Sequence, residues 1–309
     1  MAQKIVLFLS ELRENAREVE YRCPDGSTVT GVQTNEAPVK YLLHRHPDIS
    51  EILCVVTPTA EQNAWERFQA EIAQTAPKVR CALIPFLSET DFQGEVLPQI
   101  LARAESGDEI FLETTGGLRN AVMYLLLISR ALSYAGVKTA GAVYSNYNQK
   151  VIEDISSLIS LFDFIDGMQE LTSFGNVRSL RSYYHIRAHD PQIDDLLNAV
   201  DQLWECIILC RVQQIPRHME QFNQALERAE DCSDPLMRAL LPAFQKKFGN
   251  RVTTPGLIRW CVQSDMLQQA RTVYKERIPI YIMSERDDIL TPKPNAPAPN
   301  MARHYVSQE

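Results

Sequence analysis

Compact apolar runs and amphipathic stretches alternate along the first half of the chain. Ile5 to Leu9, Ile52 to Thr57, Val79 to Pro85, Glu109 to Thr114 and Val137 to Tyr144 have the pattern of buried strands. Between them, Val39 to His44, Asn63 to Ala73, Val96 to Ala104 and a run from about Leu118 to Ala135 place apolar residues at helical spacing. Strands separated by helices of this length predict parallel βαβ units. Val19 to Arg22 and Thr28 to Val32 alternate around Pro24-Asp25-Gly26-Ser27, which predicts a β-hairpin. From about residue 155 the strand pattern stops. Ile155 to Phe174, Asp194 to Cys210, Met219 to Ala229, Pro235 to Phe248, Thr254 to Ser264 and Met266 to Arg277 are expected to be helices. The prolines of the stretch 290–299 break both patterns, so the tail over 290–309 is expected to be extended.

The expected fold class is α/β. A Rossmann-like parallel sheet domain with a β-hairpin spans 1–154, and an all-α helical domain follows over 155–289. Ligands on such sheets sit at the carboxyl ends of the strands. That edge gathers Ser10-Glu11, Thr57-Pro58-Thr59, Thr114 to Arg119 and Ser145 to Asn148. Its most informative part is Ile110 to Asn120, a buried strand that breaks into Thr114-Thr115-Gly116-Gly117 before an apolar helix. Glycines allow close backbone approach, and the free N–H groups and dipole of a helix start favour phosphate. Arg119 adds a charge-assisted contact. A Walker lysine and a GxGxxG are both missing, which counts against ATP hydrolysis and dinucleotide binding.

Composition narrows the picture. Apolar residues make up 45% of the 309 positions, enough for real cores, and no run is long enough to span a membrane. The apolar N-terminus is short and meets Glu11 at once, so a first strand is expected rather than a signal peptide, in a cytoplasmic protein. A net charge of −8 argues against general affinity for nucleic acid but leaves room for a local basic pocket. The seven cysteines are scattered; Cys206 and Cys210 lack a second pair at zinc spacing, so no metal is expected. His44-Arg45-His46 has the character of helix C-terminal cations. His185 and His189 are at i,i+4 but lack the glutamate of an HExxH motif.

These features resemble the CRISPR-associated Rossmann-fold (CARF) family, above all the type III CRISPR accessory ribonucleases that join this domain to a HEPN domain. The resemblance is carried by Ile5 to Leu9 with Ser10, the hairpin from Tyr21 to Gly26, Val56 to Ala60, and Glu113 to Arg119. Weaker matches run through Val143-Tyr144, Ile152 to Asp154, Phe162 to Phe174, Leu257 to Cys261, Gln268 to Ala270 and Glu276 to Pro279. It covers residues 1 to about 285. It implies a homodimeric sensor that binds one cyclic oligoadenylate ring across its two-fold axis. That ring is made by the type III CRISPR interference complex, and the sensor controls an RNase-type response. No cofactor is implied. The ring's phosphates and sugars would meet Thr114, Thr115, Gly116, Gly117 and Arg119, with Ser10, Glu11, Thr57 and Thr59 reaching it from the first two strands. Asn146 would read an adenine edge.

The family's HEPN domain cuts RNA, without metal, through an arginine–histidine motif. Two segments have that spacing, Arg178…His185 and Arg211…His218, the second interrupted by Pro216. Both fall in the part that resembles the helical connector, so surface or packing roles stand beside the catalytic one. The family's effector would follow the proline tail. Alternatives are a ring nuclease that cleaves its own ligand by positioning a ribose hydroxyl, and a ligand-responsive transcription regulator.

Overall fold

The structure, a computed structural model, describes residues 1–185, 189–248 and 251–285. The expected tail over 290–309 lies outside them. The chain divides into two compact units, residues 1–160 and 161–309.

The first unit carries one eight-stranded sheet. Its strands are β1 (Gln3–Phe8), β2 (Val19–Arg22), β3 (Thr28–Gly31), β4 (Ile49–Val56), β5 (Arg80–Pro85), β6 (Glu109–Glu113), β7 (Lys138–Asn146) and β8 (Val151–Asp154). They stand in the order β3-β2-β8-β7-β6-β1-β4-β5. The five strands β7-β6-β1-β4-β5 pair in parallel, as the βαβ spacing predicts. The rest of the sheet is mixed. β8 runs antiparallel to β7, and the antiparallel β2–β3 hairpin joins it through the parallel pair Arg22↔Val151. Unlike the equally short β2 and β3, which flank a Pro-Asp-Gly-Ser turn, β8 follows a connection with neither proline nor glycine, so it has no counterpart among the expected strands.

Helices of this unit are α1 (Glu36–Arg45), α2 (Pro58–Ala60), α3 (Glu66–Thr75), α4 (Leu97–Leu101) and α5 (Ala121–Tyr134). A π-helical turn, Glu61–Trp65, joins α2 to α3, and another, Phe92–Val96, leads into α4. Ile5, Leu7 and Leu9 point to one side, with Val39 and Leu42 of α1 and Phe68 and Ile72 of α3. Val6 and Phe8 point to the other, with Ile100 of α4 and Leu125, Ile128 and Leu132 of α5. Both faces are covered, which is why β1 appears in the sequence as an unbroken apolar run.

Seven further helices follow among the described residues: α6 (Ser156–Phe174), α7 (Arg178–His185), α8 (Pro191–Ile208), α9 (Ile215–Ala229), α10 (Pro235–Phe248), α11 (Thr254–Gln263) and α12 (Leu267–Glu285). Phe164, Leu196, Phe222, Phe244 and Trp260 belong to one apolar core in the second unit. Asp190 Oδ1 accepts the N–H groups of Gln192 and Ile193, and Pro191 stands in the first turn. That cap starts α8 three residues before the expected Asp194. No helix among the described residues is long and apolar enough to cross a membrane.

Candidate functional site

From β1 the chain builds β4 and β5 on one side, then β6 and β7 on the other. This reversal opens a crevice at the carboxyl ends of β1 and β6, the usual ligand position of open α/β sheets. The register Leu7↔Glu113 sets Ser10 beside the segment that joins β6 to α5. The Gly117 N–H donates to Ser10 Oγ at 2.8 Å. Gly117 has φ +86°, and a Cβ there would run into Phe8. A Cβ on Gly116 would meet the Asn35 amide. Phe8 is itself held by rings, stacked on Tyr124 at 5.7 Å and edge-on to Phe86 at 5.6 Å. The loop therefore lies flat on the end of β1, and only glycine permits it.

Past Gly117 the backbone N–H groups of Leu118, Arg119 and Asn120 have no hydrogen-bond partner among the described residues. They precede the first turn of α5, whose dipole adds positive potential. The Arg119 side chain is exposed and makes no ion pair among the described residues. Asn120, at the cap position, does not cap; its amide donates to Glu89 Oε1 at 2.8 Å. A row of free donors beside a free guanidinium can hold an anion.

Beneath the loop lies a polar network. Glu113 is fully buried. Its Oε1 accepts the Thr115 N–H at 2.7 Å, and its Oε2 accepts from Asn35 Nδ2. Asn35, also fully buried, donates to Phe8 O at 3.1 Å. Its Oδ1 accepts the Ser10 N–H at 2.8 Å and Gln33 Nε2 at 2.7 Å. Gln33 closes the circuit, accepting the Asn35 N–H at 2.7 Å and donating to Ser10 O at 2.8 Å. Burial pushes the Glu113 carboxyl up to about 7, against the pull of Thr115 and Asn35.

This has a consequence for stability. The folded state holds a proton on Glu113 that the unfolded chain has lost above its ordinary value of 4.5. Stability therefore falls as pH rises from 4.5 toward 7 and then levels. Glu113→Gln removes this slope. It is expected to be more stable than the wild type at pH 8 by about 3 kcal/mol and nearly equal at low pH, read from urea unfolding at both.

The expected ligand residues separate into groups. Ser10, Thr115, Gly116 and Gly117 come together at the crevice. Thr115 Oγ1 accepts the Ser145 N–H at 2.7 Å, tying the loop to β7. Thr114 is buried and its hydroxyl donates to Val143 O at 2.9 Å, so it faces the sheet rather than the crevice. Thr57 caps α2, accepting the Ala60 N–H at 3.3 Å. Glu11 and Thr59 are exposed. Asn146 spends its amide on the β7–β8 turn, donating to Glu153 at 3.0 Å and accepting the Gln149 N–H at 3.2 Å.

The arginine–histidine pairs lie in the second unit. Arg178 opens α7 and His185 ends it; both are exposed and, seven residues apart, share a face. Arg211 stands in the connection after α8 and donates to Glu205 at 3.0 Å. Pro216 sits in the first turn of α9, which therefore begins after Arg211 and carries only His218. The His218 Nδ1 is buried with no hydrogen-bond partner among the described residues. No cluster of three metal-ligating side chains occurs among the described residues.

Asn35 and Gln33 were not marked by any sequence motif. Gln33-Thr34-Asn35-Glu36 has the look of an ordinary polar helix start. Glu113 did leave a trace, as an acid closing the apolar run Ile110-Phe111-Leu112.

No protein-family model matches the chain, and a search of curated proteins returns no relative.

Proposed function

We propose that the first unit is a cyclic oligoadenylate sensor, acting as a cytoplasmic homodimer that binds one ring across its two-fold axis and controls an RNase-type response in type III CRISPR defence. The identity of the ligand is what the resemblance to the CARF family implies, and the observation that supports it is the loop after β6. It offers three consecutive free N–H groups and a free guanidinium at the point where strand order reverses. A ring of phosphodiesters presents the chemistry these groups accept.

The surface of α5 supports the dimer. This helix is largely apolar, with Arg130 and Ser133 as the polar exceptions outside the core. Ala121, Leu125, Ile128 and Leu132 face the core, whereas Met123 and Leu127 are 68% and 54% exposed. A helix of this kind calls for cover on its outer face, and a second copy supplies it by symmetry. Because α5 starts at the loop, such pairing brings two loops toward one axis, matching a two-fold symmetric ring. The arginine–histidine pairs lack comparable support, since Arg211 is engaged by Glu205.

The test is calorimetric titration with cyclic tri-, tetra- and hexa-adenylate, followed by recovery of the ligand. Binding of one ring per two chains is the expected result. Intact recovered ligand supports a pure sensor, and linearised ligand adds ring nuclease activity. Binding of none of the three overturns the reading. Arg119→Ala is expected to weaken binding by about 10- to 100-fold, the worth of one charge-assisted contact, without changing the melting temperature.

A further inference from the structure

We propose that Glu113 and Asn35 are the positioning residues of this cradle, and that a phosphate in the cradle drives Glu113 to take up a proton. This rests on the sensor reading of the same loop.

Glu113 holds the loop from below. It draws the Thr115 N–H inward, while the N–H groups of Leu118 to Asn120 stay free. An anion on those groups adds a second negative charge against the same short segment. Glu113 is buried, with no cation bound to it among the described residues, so little water screens the repulsion. A phosphodiester stays ionised throughout the neutral range, so the carboxyl is the group that yields. Burial has already brought it to about 7, within reach of a modest push.

The network determines where the proton goes. Both Glu113 oxygens act as acceptors. A proton on Oε2 needs an acceptor, and the Asn35 amide supplies one by turning over. A turned amide no longer accepts the Ser10 N–H or the Gln33 amide and no longer donates to Phe8 O, so the whole circuit rearranges and the Ser10 N–H is released at the crevice. Asn35 thereby links the state of Glu113 to the donors offered by β1.

Other ionisable groups nearby are accounted for. The Cys54 thiol of β4 feels Glu113, and burial pushes it well up, so it stays neutral. Glu36 of α1 is held by the Val32 N–H and Arg67. His46, after α1, packs on Phe111 of β6 at 4.1 Å. Glu89 is bound to Asn120, and Arg119 and Glu11 are exposed. A Glu113→Gln comparison separates their titration from that of Glu113.

The experiment is titration of the whole protein with the three cyclic oligoadenylates in buffers of different ionisation enthalpy, from about pH 5.5 to 8.5. For the wild type, proton uptake should peak between about pH 7.5 and 8, at about half a proton per loop for a shift of one unit and more for a larger one, and vanish near about pH 5.5. Affinity should fall by up to about tenfold per pH unit above about 7. In Glu113→Gln the uptake should disappear, the affinity should be flat with pH, and binding at about pH 8 should equal or exceed that of the wild type. A Gln variant that binds more weakly at every pH with the wild-type slope overturns the proposal, because Glu113 would then be only structural. Carbon-13 NMR of the glutamate carboxyls gives a readout without any variant: the Glu113 titration must move to higher pH when the ring is bound, and an unmoved titration overturns the proposal. Ring binding without proton uptake overturns this inference and leaves the sensor reading standing. Failure to bind any ring removes both.

Discussion

Gly117→Val is expected to abolish ring binding and to destabilise the protein by about 2–5 kcal/mol. Two costs add. A side chain at φ +86° occupies the left-handed region, which costs roughly 1–2 kcal/mol for an L residue and more for a β-branched one. The new Cβ also strikes Phe8, whose ring is pinned between Tyr124 and Phe86, so relief must come from the loop, at about 1–3 kcal/mol. Lifting the loop breaks the Gly117–Ser10 hydrogen bond and disperses the free N–H groups. Urea unfolding measures the first effect and calorimetry the second. Gly117→Ala should move both in the same direction by less. Arg119→Ala should weaken binding alone, since its side chain makes no hydrogen bond or ion pair among the described residues. Wild-type affinity in Gly117→Val would remove the loop as the binding element.

Asn35→Ala is expected to cost about 3–5 kcal/mol at pH 8, comparable to removing one partner of a buried charge. Asn35 is the donor to Glu113 Oε2 and to Phe8 O, and the acceptor for Ser10 and Gln33. Alanine leaves all four groups short of a partner in a site closed to water. The penalty should shrink as pH falls below about 7, because leaving a neutral carboxyl without its partner costs less than leaving a buried carboxylate without one. Denaturant unfolding at about pH 5 and 8 reads both the size and the sign of that dependence. An equal penalty at both pH values would show that Asn35 supports the backbone of Phe8 and Ser10 but not the Glu113 charge.

Much of this arrangement was legible in the chain before folding. The apolar runs and helical spacing of the first half specify the parallel strands, because a strand covered on both faces must be apolar at every position. The glycine loop was legible from its position between a buried strand and an apolar helix at the carboxyl edge of the sheet, together with Arg119, since two glycines alone also suit a plain tight turn. The β2–β3 hairpin was marked by Pro24-Asp25-Gly26-Ser27, with Gly26 at φ +85°. By contrast β8 follows a connection with neither proline nor glycine, α7 is too short to establish a period, and α8 starts at a cap rather than at its first apolar residue.

What the sequence by itself determined is therefore the class of fold, most of the order of its elements and the place of the glycine loop at the carboxyl edge of the sheet. Each of these depends on local pattern or on backbone freedom at single residues. Only the tertiary structure decided which polar side chains belong to the site. Thr57, Thr114 and Asn146 lie on the expected edge, yet their side chains are consumed by a helix cap, a neighbouring strand and a turn. Asn35 sits 78 residues before Glu113 and meets it only because the end of β1 and the start of α1 converge on β6. A buried hydrogen bond across that separation leaves no periodic trace in sequence, because its partners are chosen by where the backbone brings them.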